Sequence, residues 1–116
     1  MSATERSHIT THVLDTGTGR PASGVRATLE AKTATGWREI GNGTTDGDGR
    51  IKDLGPTQVE AGRYRVAFDT GAYFGTQGTE TFFPGVAIDF VVDDVAEHYH
   101  VPLLISPFAY STYRGS

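Results

Sequence analysis

The chain contains no cysteine in 116 residues. A disulfide framework, a thiolate metal centre and a cysteine nucleophile are thereby excluded. The absence suits a reducing compartment, so a cytoplasmic location is expected. Long hydrophobic runs are missing too, and no apolar stretch approaches the ~20 residues that a membrane-spanning helix needs. The opening stretch, MSATERSHITTHV, is polar and lacks the apolar centre of a secretory signal. Positive charge is scarce: 10 Lys and Arg stand against 14 Asp and Glu, a formal net charge of −4. With no polybasic run or aromatic-studded basic stripe, a nucleic-acid partner is not expected. A Gly-x-Ser-x-Gly elbow is absent, and GTGRPASG lacks the lysine and the strand-to-helix setting of a phosphate loop.

What is present is a recurring short run with period-two alternation, followed each time by Gly, Thr, Asp or Pro. HITTHVLD at 8–15 is the first, closed by the turn-rich TGTGRPASG at 16–24. In VRATLEAKTA, residues Val25, Ala27, Leu29 and Ala31 alternate with Arg26, Thr28, Glu30 and Lys32, the pattern of a half-buried strand. Trp37–Thr45 reads as its hairpin partner, and DGDGR at 46–50 as a tight turn. Tyr64, Val66 and Phe68 point inward in 62–71, and Val86, Ile88, Phe90 and Val92 do so in 85–94. Runs at 98–106 and 108–114 complete the set. The alternation lapses between Tyr73 and Phe83, where a short helix fits. Pro102 points to an edge position or a bulge in its strand. Apolar residues at 37% and charged residues at 21% suit one soluble domain. The expected fold is an all-β antiparallel sandwich over residues 8–116, after a flexible N-terminal segment, 1–7.

The four histidines fall in two of these runs: His8 and His12 in the first, His98 and His100 in the run at 98–106. Residues two or four apart share a strand face, so neighbouring strands would gather all four. His8, near the chain end, reads as an ordinary solvated side chain. A His-x-His pair on a strand can also bind zinc, here His98 and His100 with His12 as third ligand, although no carboxylate or cysteine stands at a diagnostic spacing. DGDGR imitates the start of a calcium loop, but Thr57 occupies the position where a glutamate is required. Arg50, where that turn hands over to the next strand, is placed to offer its fork of donors to a planar ligand.

Taken together, THVLDTGTGRPA, DGDGRI, FFPGV and EHYHVPLLISPFAYSTYRGS resemble the 5-hydroxyisourate hydrolase family, the transthyretin-related enzymes of urate breakdown. The likeness runs from about residue 8 to Ser116, and its hallmark is the closing Tyr113-Arg114-Gly115-Ser116. The resemblance implies a sandwich of two four-stranded sheets with one short helix after the fifth strand. It implies a homotetramer, a dimer of dimers, with active sites in the channel where dimers meet. A tail ending at Ser116 would leave that channel open.

By the same resemblance His12, Arg50, His100 and Ser116 are the catalytic residues, and His12, Arg50, Tyr113 and Arg114 bind substrate. His98 is expected behind them. The implied reaction is hydrolysis of 5-hydroxyisourate at its N1–C6 amide, with no metal or organic cofactor. Two other readings are a small-ligand carrier of the transthyretin kind and a zinc-binding β-domain. The carrier expects an apolar channel, whereas His12, His100, Ser111, Tyr113 and Arg50 make a polar one.

Overall fold

Each of the seven alternating runs forms a strand. The structure, a computed structural model, describes residues 6–116. Among them are β1 (Ile9–Asp15), β2 (Arg20–Pro21), β3 (Arg26–Thr33), β4 (Gly36–Thr44), β5 (Arg50–Ile51), β6 (Gly62–Phe68), α1 (Thr70–Gly75), β7 (Val86–Val92), β8 (Tyr99–Ser106) and β9 (Ala109–Thr112). The strands make two sheets. One is ordered β4-β3-β6-β7; the other is β2-β1-β8-β9, with β5 also paired to β1. The two-residue strands β2 and β5 bring that second sheet to five members, so the helix follows the sixth strand segment.

The alternating residues close a core between the sheets. Ile9, Val13, Val101, Leu103 and Ile105 come from one sheet, and Ala27, Leu29, Tyr64, Val66, Phe68, Val86 and Val92 from the other, all buried. Each large side chain buried this way contributes about 1.5–3 kcal/mol.

One pairing departs from an antiparallel sandwich. β1 and β8 run parallel over seven residue pairs, from Ile9 opposite Tyr99 to Asp15 opposite Ile105. A parallel pair needs a long crossover, and here the crossover is the whole opposite sheet and α1.

Pro102 lies in β8, between β1 and the C-terminal tail, not at an edge. Its missing N–H faces the tail, because Gly115 pairs with His100 and Thr112 with Leu103 in one continuous register. The ladder opens between those two pairs, where Pro102 has no donor to give.

The helix starts at Thr70, earlier than the lapse in alternation implied, because Asp69 caps it by accepting a hydrogen bond from the Ala72 N–H. Residues 1–5 of the expected flexible segment lie outside the described residues. Ser7, at its end, is buried, and its hydroxyl donates to the Gly55 carbonyl at 2.8 Å.

Candidate active site

The outward face of β1 carries Thr10 and His12, the residues that alternate with the core positions. The parallel register sets Thr10 opposite His100, and His98, just ahead of β8, lies on the same side. The Thr10 hydroxyl is 2.8 Å from His98 Nε2 and 2.9 Å from His100 Nδ1. Across the other edge of β1, the antiparallel register sets His12 opposite Arg50.

The DGDGR turn holds Arg50 there. Asp46 Oδ1 accepts hydrogen bonds from the backbone N–H groups of Asp48 and Arg50. These bonds, that of Arg50 first, hold the Asp46 carboxyl below the usual carboxylate range. Gly49 adopts φ 76°, and a β-carbon there would collide with the Val13 carbonyl. Only glycine satisfies both demands and lets the turn lie against β1.

Thr10, Arg50, His98, His100 and Ser116 line one cavity of about 270 Å3, together with Arg6 and Lys52. Ser116 reaches it because the Gly115 N–H donates to the His100 carbonyl at 2.9 Å. Three cations and two imidazoles surround this space. Burial is the main cause that lowers the pKa of His98 and of His100. For His100 the neighbouring charges of Arg50, His12 and Arg6 push the same way, and hydrogen bonding to the Thr10 backbone opposes them. Both rings are therefore neutral at neutral pH, and a neutral imidazole beside a fixed guanidinium can take a proton from water.

The expected four-histidine cluster loses one member. His8 is 5% exposed, not solvated: its Nδ1 accepts from the Val59 N–H at 2.9 Å and its Nε2 donates to the Glu97 carbonyl at 2.6 Å. It pins two loops to β1. His12 stands beside the cavity, its ladder partners being Arg50 and Pro102. Among the described residues no group of three or more His, Cys, Asp or Glu side chains is arranged to hold a metal ion. The Thr10 hydroxyl takes up one ring nitrogen of each of His98 and His100, which ties down a pair that zinc would need.

The tail divides around His100. Tyr113 and Arg114 line a second cavity of about 250 Å3 with Ile88, Phe90 and Val91 of β7, and His100 borders both spaces. The Arg114 guanidinium lies 4.4 Å from the centre of the Tyr99 ring and donates to Glu97 at 3.2 Å. Within one chain, then, His100, Arg50 and Ser116 share the polar cavity with His12 at its margin, while Tyr113 and Arg114 face the apolar one. Thr10, Arg6 and Lys52 were not expected at the site. For Lys52 a signal exists, its spacing of two from Arg50; Arg6 has none.

The family model described as HIUase/Transthyretin family matches residues 9–115. The chain is 50% identical over 109 residues to the 5-hydroxyisourate hydrolase of Salmonella dublin, covering 93% of this chain and 80% of that protein. It is similar in structure to the 5-hydroxyisourate hydrolase of Klebsiella pneumoniae, with TM-score 0.83 and 40% identity over 93% of this chain and 98% of that one. It is also similar to sea bream transthyretin, solved in complex with thyroxine, with TM-score 0.86 and 38% identity over 92% and 93% of the two chains.

Proposed function

The chain belongs to the HIUase/transthyretin family, and from that premise we propose that it is a 5-hydroxyisourate hydrolase of urate degradation. The observation that carries this reading is the polar cavity in which Arg50, His98, His100 and Ser116 meet. Water attacks the C6 carbonyl of 5-hydroxyisourate, the N1–C6 bond breaks, and the ring opens to 2-oxo-4-hydroxy-4-carboxy-5-ureidoimidazoline.

The attacking water must lose a proton and the departing nitrogen must gain one. The His12/His100 pair serves both needs, and positioned acid–base help of this kind is worth ~10²–10⁴-fold. Arg50 pairs with the heterocycle's oxygens and opposes the negative charge that develops on the attacked carbonyl. Ser116 orients water or substrate from the tail.

We assign Tyr113 and Arg114 to substrate binding in the assembled protein, where a neighbouring copy completes the site. The proposed assembly is a homotetramer built as a dimer of dimers. The free edge strands β7 and β9 support it, with Val91 at 61% and Tyr113 at 60% exposure beside the apolar cavity between them. Sedimentation equilibrium reads the mass directly. A cytoplasmic location belongs to the same proposal and is checked by fractionation. Among the described residues no helix is long and apolar enough to cross a membrane.

The test is to generate 5-hydroxyisourate in place with urate oxidase and follow its ultraviolet absorbance, comparing wild type with His100→Ala, with and without a chelator. Fast decay with wild type, indifferent to chelator and lost in the variant, is the expected result. Decay that stops on chelation would move the chemistry to a metal. Decay at the spontaneous rate would overturn the hydrolase and favour a carrier, to be tested with thyroxine, the ligand of the transthyretin neighbour.

A further inference from the structure

A threonine hydroxyl carries one proton, yet the Thr10 oxygen contacts two imidazole nitrogens, His98 Nε2 at 2.8 Å and His100 Nδ1 at 2.9 Å. It can donate to at most one of them, and must accept from whichever it does not donate to. The tautomers of the two neutral histidines are therefore set by a single hydroxyl. With the hydroxyl proton spent between the two rings, either His98 donates to Thr10 and Thr10 to His100 Nδ1, or His100 Nδ1–H donates to Thr10 and Thr10 to His98 Nε2.

The two arrangements differ in what His100 offers the cavity. Its Nδ1 is engaged by Thr10, and its Cδ2 edge packs at Gly115, where a β-carbon would come within 2.5 Å. Nε2 is the nitrogen left for the cavity that His100 lines. In the first arrangement Nε2 carries the proton and cannot act as a base. In the second it presents a lone pair.

The charges around the ring select between them. Arg50 faces His100 from β5, His12 from β1, and Arg6 from the stretch ahead of β1, each lowering its proton affinity, while His98 lies across Thr10. Lys52 and Ser116 also line the cavity. A cationic cavity attracts a lone pair and repels an N–H dipole, so the proton of His100 belongs on Nδ1.

We propose that Thr10 is a positioning residue that holds His100 in its Nδ1–H tautomer, with His98 Nε2 as the acceptor that anchors the Thr10 hydroxyl. The role rests on the hydrolase reading of the same site. His98 then acts at one remove from substrate: it fixes the direction of the Thr10 O–H bond, and the bond fixes His100.

Nitrogen-15 spectra of the histidine rings test this without substrate, alongside hydrolase kinetics of Thr10→Val and Thr10→Ser. Wild type is expected to show His98 and His100 protonated at Nδ1, against His8 protonated at Nε2. Thr10→Val, which keeps the shape and removes the hydroxyl, should release the His100 tautomer and lower kcat/KM by about 10–100-fold, the usual loss for an outer hydrogen-bond partner, with KM nearly unchanged. Thr10→Ser should restore both tautomer and rate.

An Nε2–H tautomer for His100 in active wild type overturns the role of Thr10 and leaves the hydrolase standing. So does a Thr10→Val protein with wild-type spectra and rate, or a Thr10→Ser protein as slow as Thr10→Val. A wild type with the expected tautomers but no hydrolase activity overturns instead the reading on which the role rests.

Discussion

Gly115 packs at the ring of His100 so closely that a β-carbon on it would stand 2.5 Å from His100 Cδ2, while its amide N–H donates to the His100 carbonyl. Glycine at this place is a matter of clearance, not of backbone conformation. In Gly115→Ala the methyl group and the imidazole compete for one volume, and the ring must move. Displacing a catalytic group by about 1 Å can cost ~10²-fold. Hydrolysis is expected to fall by that order while the circular dichroism spectrum stays that of wild type; unaltered kinetics would show that the ring has room to yield.

The acid limb of the pH–rate profile should reflect a histidine with lowered pKa. Burial and the charges of Arg50, His12 and Arg6 all disfavour protonated His100, so kcat/KM is expected to persist below the ~6.5 of an ordinary histidine before it falls. Arg50→Gln removes one of those charges. Beyond its loss of rate, its remaining activity should show the acid limb displaced to higher pH, and a limb that stays in place would deny the coupling.

Stability should follow the same groups with a definite sign. His98 and His100 have lower proton affinity folded than unfolded, so below pH ~6.5 the unfolded chain binds more protons. Their contribution is complete above that pH and is lost as pH falls through the folded-state values. Melting temperatures are expected to drop on acidification from pH 7 to 5, and the drop should shrink in the double variant His98→Gln/His100→Gln. An equally steep drop in that variant would assign acid lability to other groups.

Tyr73 on α1 donates its hydroxyl to buried Asp15 on β1 at 2.8 Å, and Asp15 is 2% exposed. Tyr73→Phe leaves the carboxylate with only the backbone N–H groups of Gly17 and Thr18 as partners. The urea midpoint should fall by the equivalent of about 1–3 kcal/mol. Because α1 is not part of the cavity lining, kcat/KM should hold; a loss of activity at full folding would show that the helix is coupled to the site.

Much of the sandwich is legible in the chain because local rules write it. The alternation of Val25, Ala27 and Leu29, or of Tyr64, Val66 and Phe68, survives as burial, since a strand with one wet face can hide only every second residue. What alternation cannot carry is partnership. Nothing in HITTHVLD says that it pairs in parallel with HYHVPLLIS, because that choice is set by the path of the residues between them. His8 shows the same limit: its spacing from His12 puts both on one strand face, but Val59 and Glu97 come from remote loops to seal it. Thr10 was readable only as a position between two histidines, and its contact with His98 and His100 exists only once β1 and β8 are in register.

That register also orders events during synthesis. β1 leaves the ribosome early, and the strand it needs lies about 90 residues behind it. At ~5–20 residues per second, Ile9 and Val13 wait on the order of 5–20 s for Val101 and Leu103. Through that interval β1 is a sticky, half-apolar strand on a nascent chain, and the cavity does not exist. Chaperone occupancy of this protein should accordingly be highest while residues 16–98 are being made, and fall as β8 emerges.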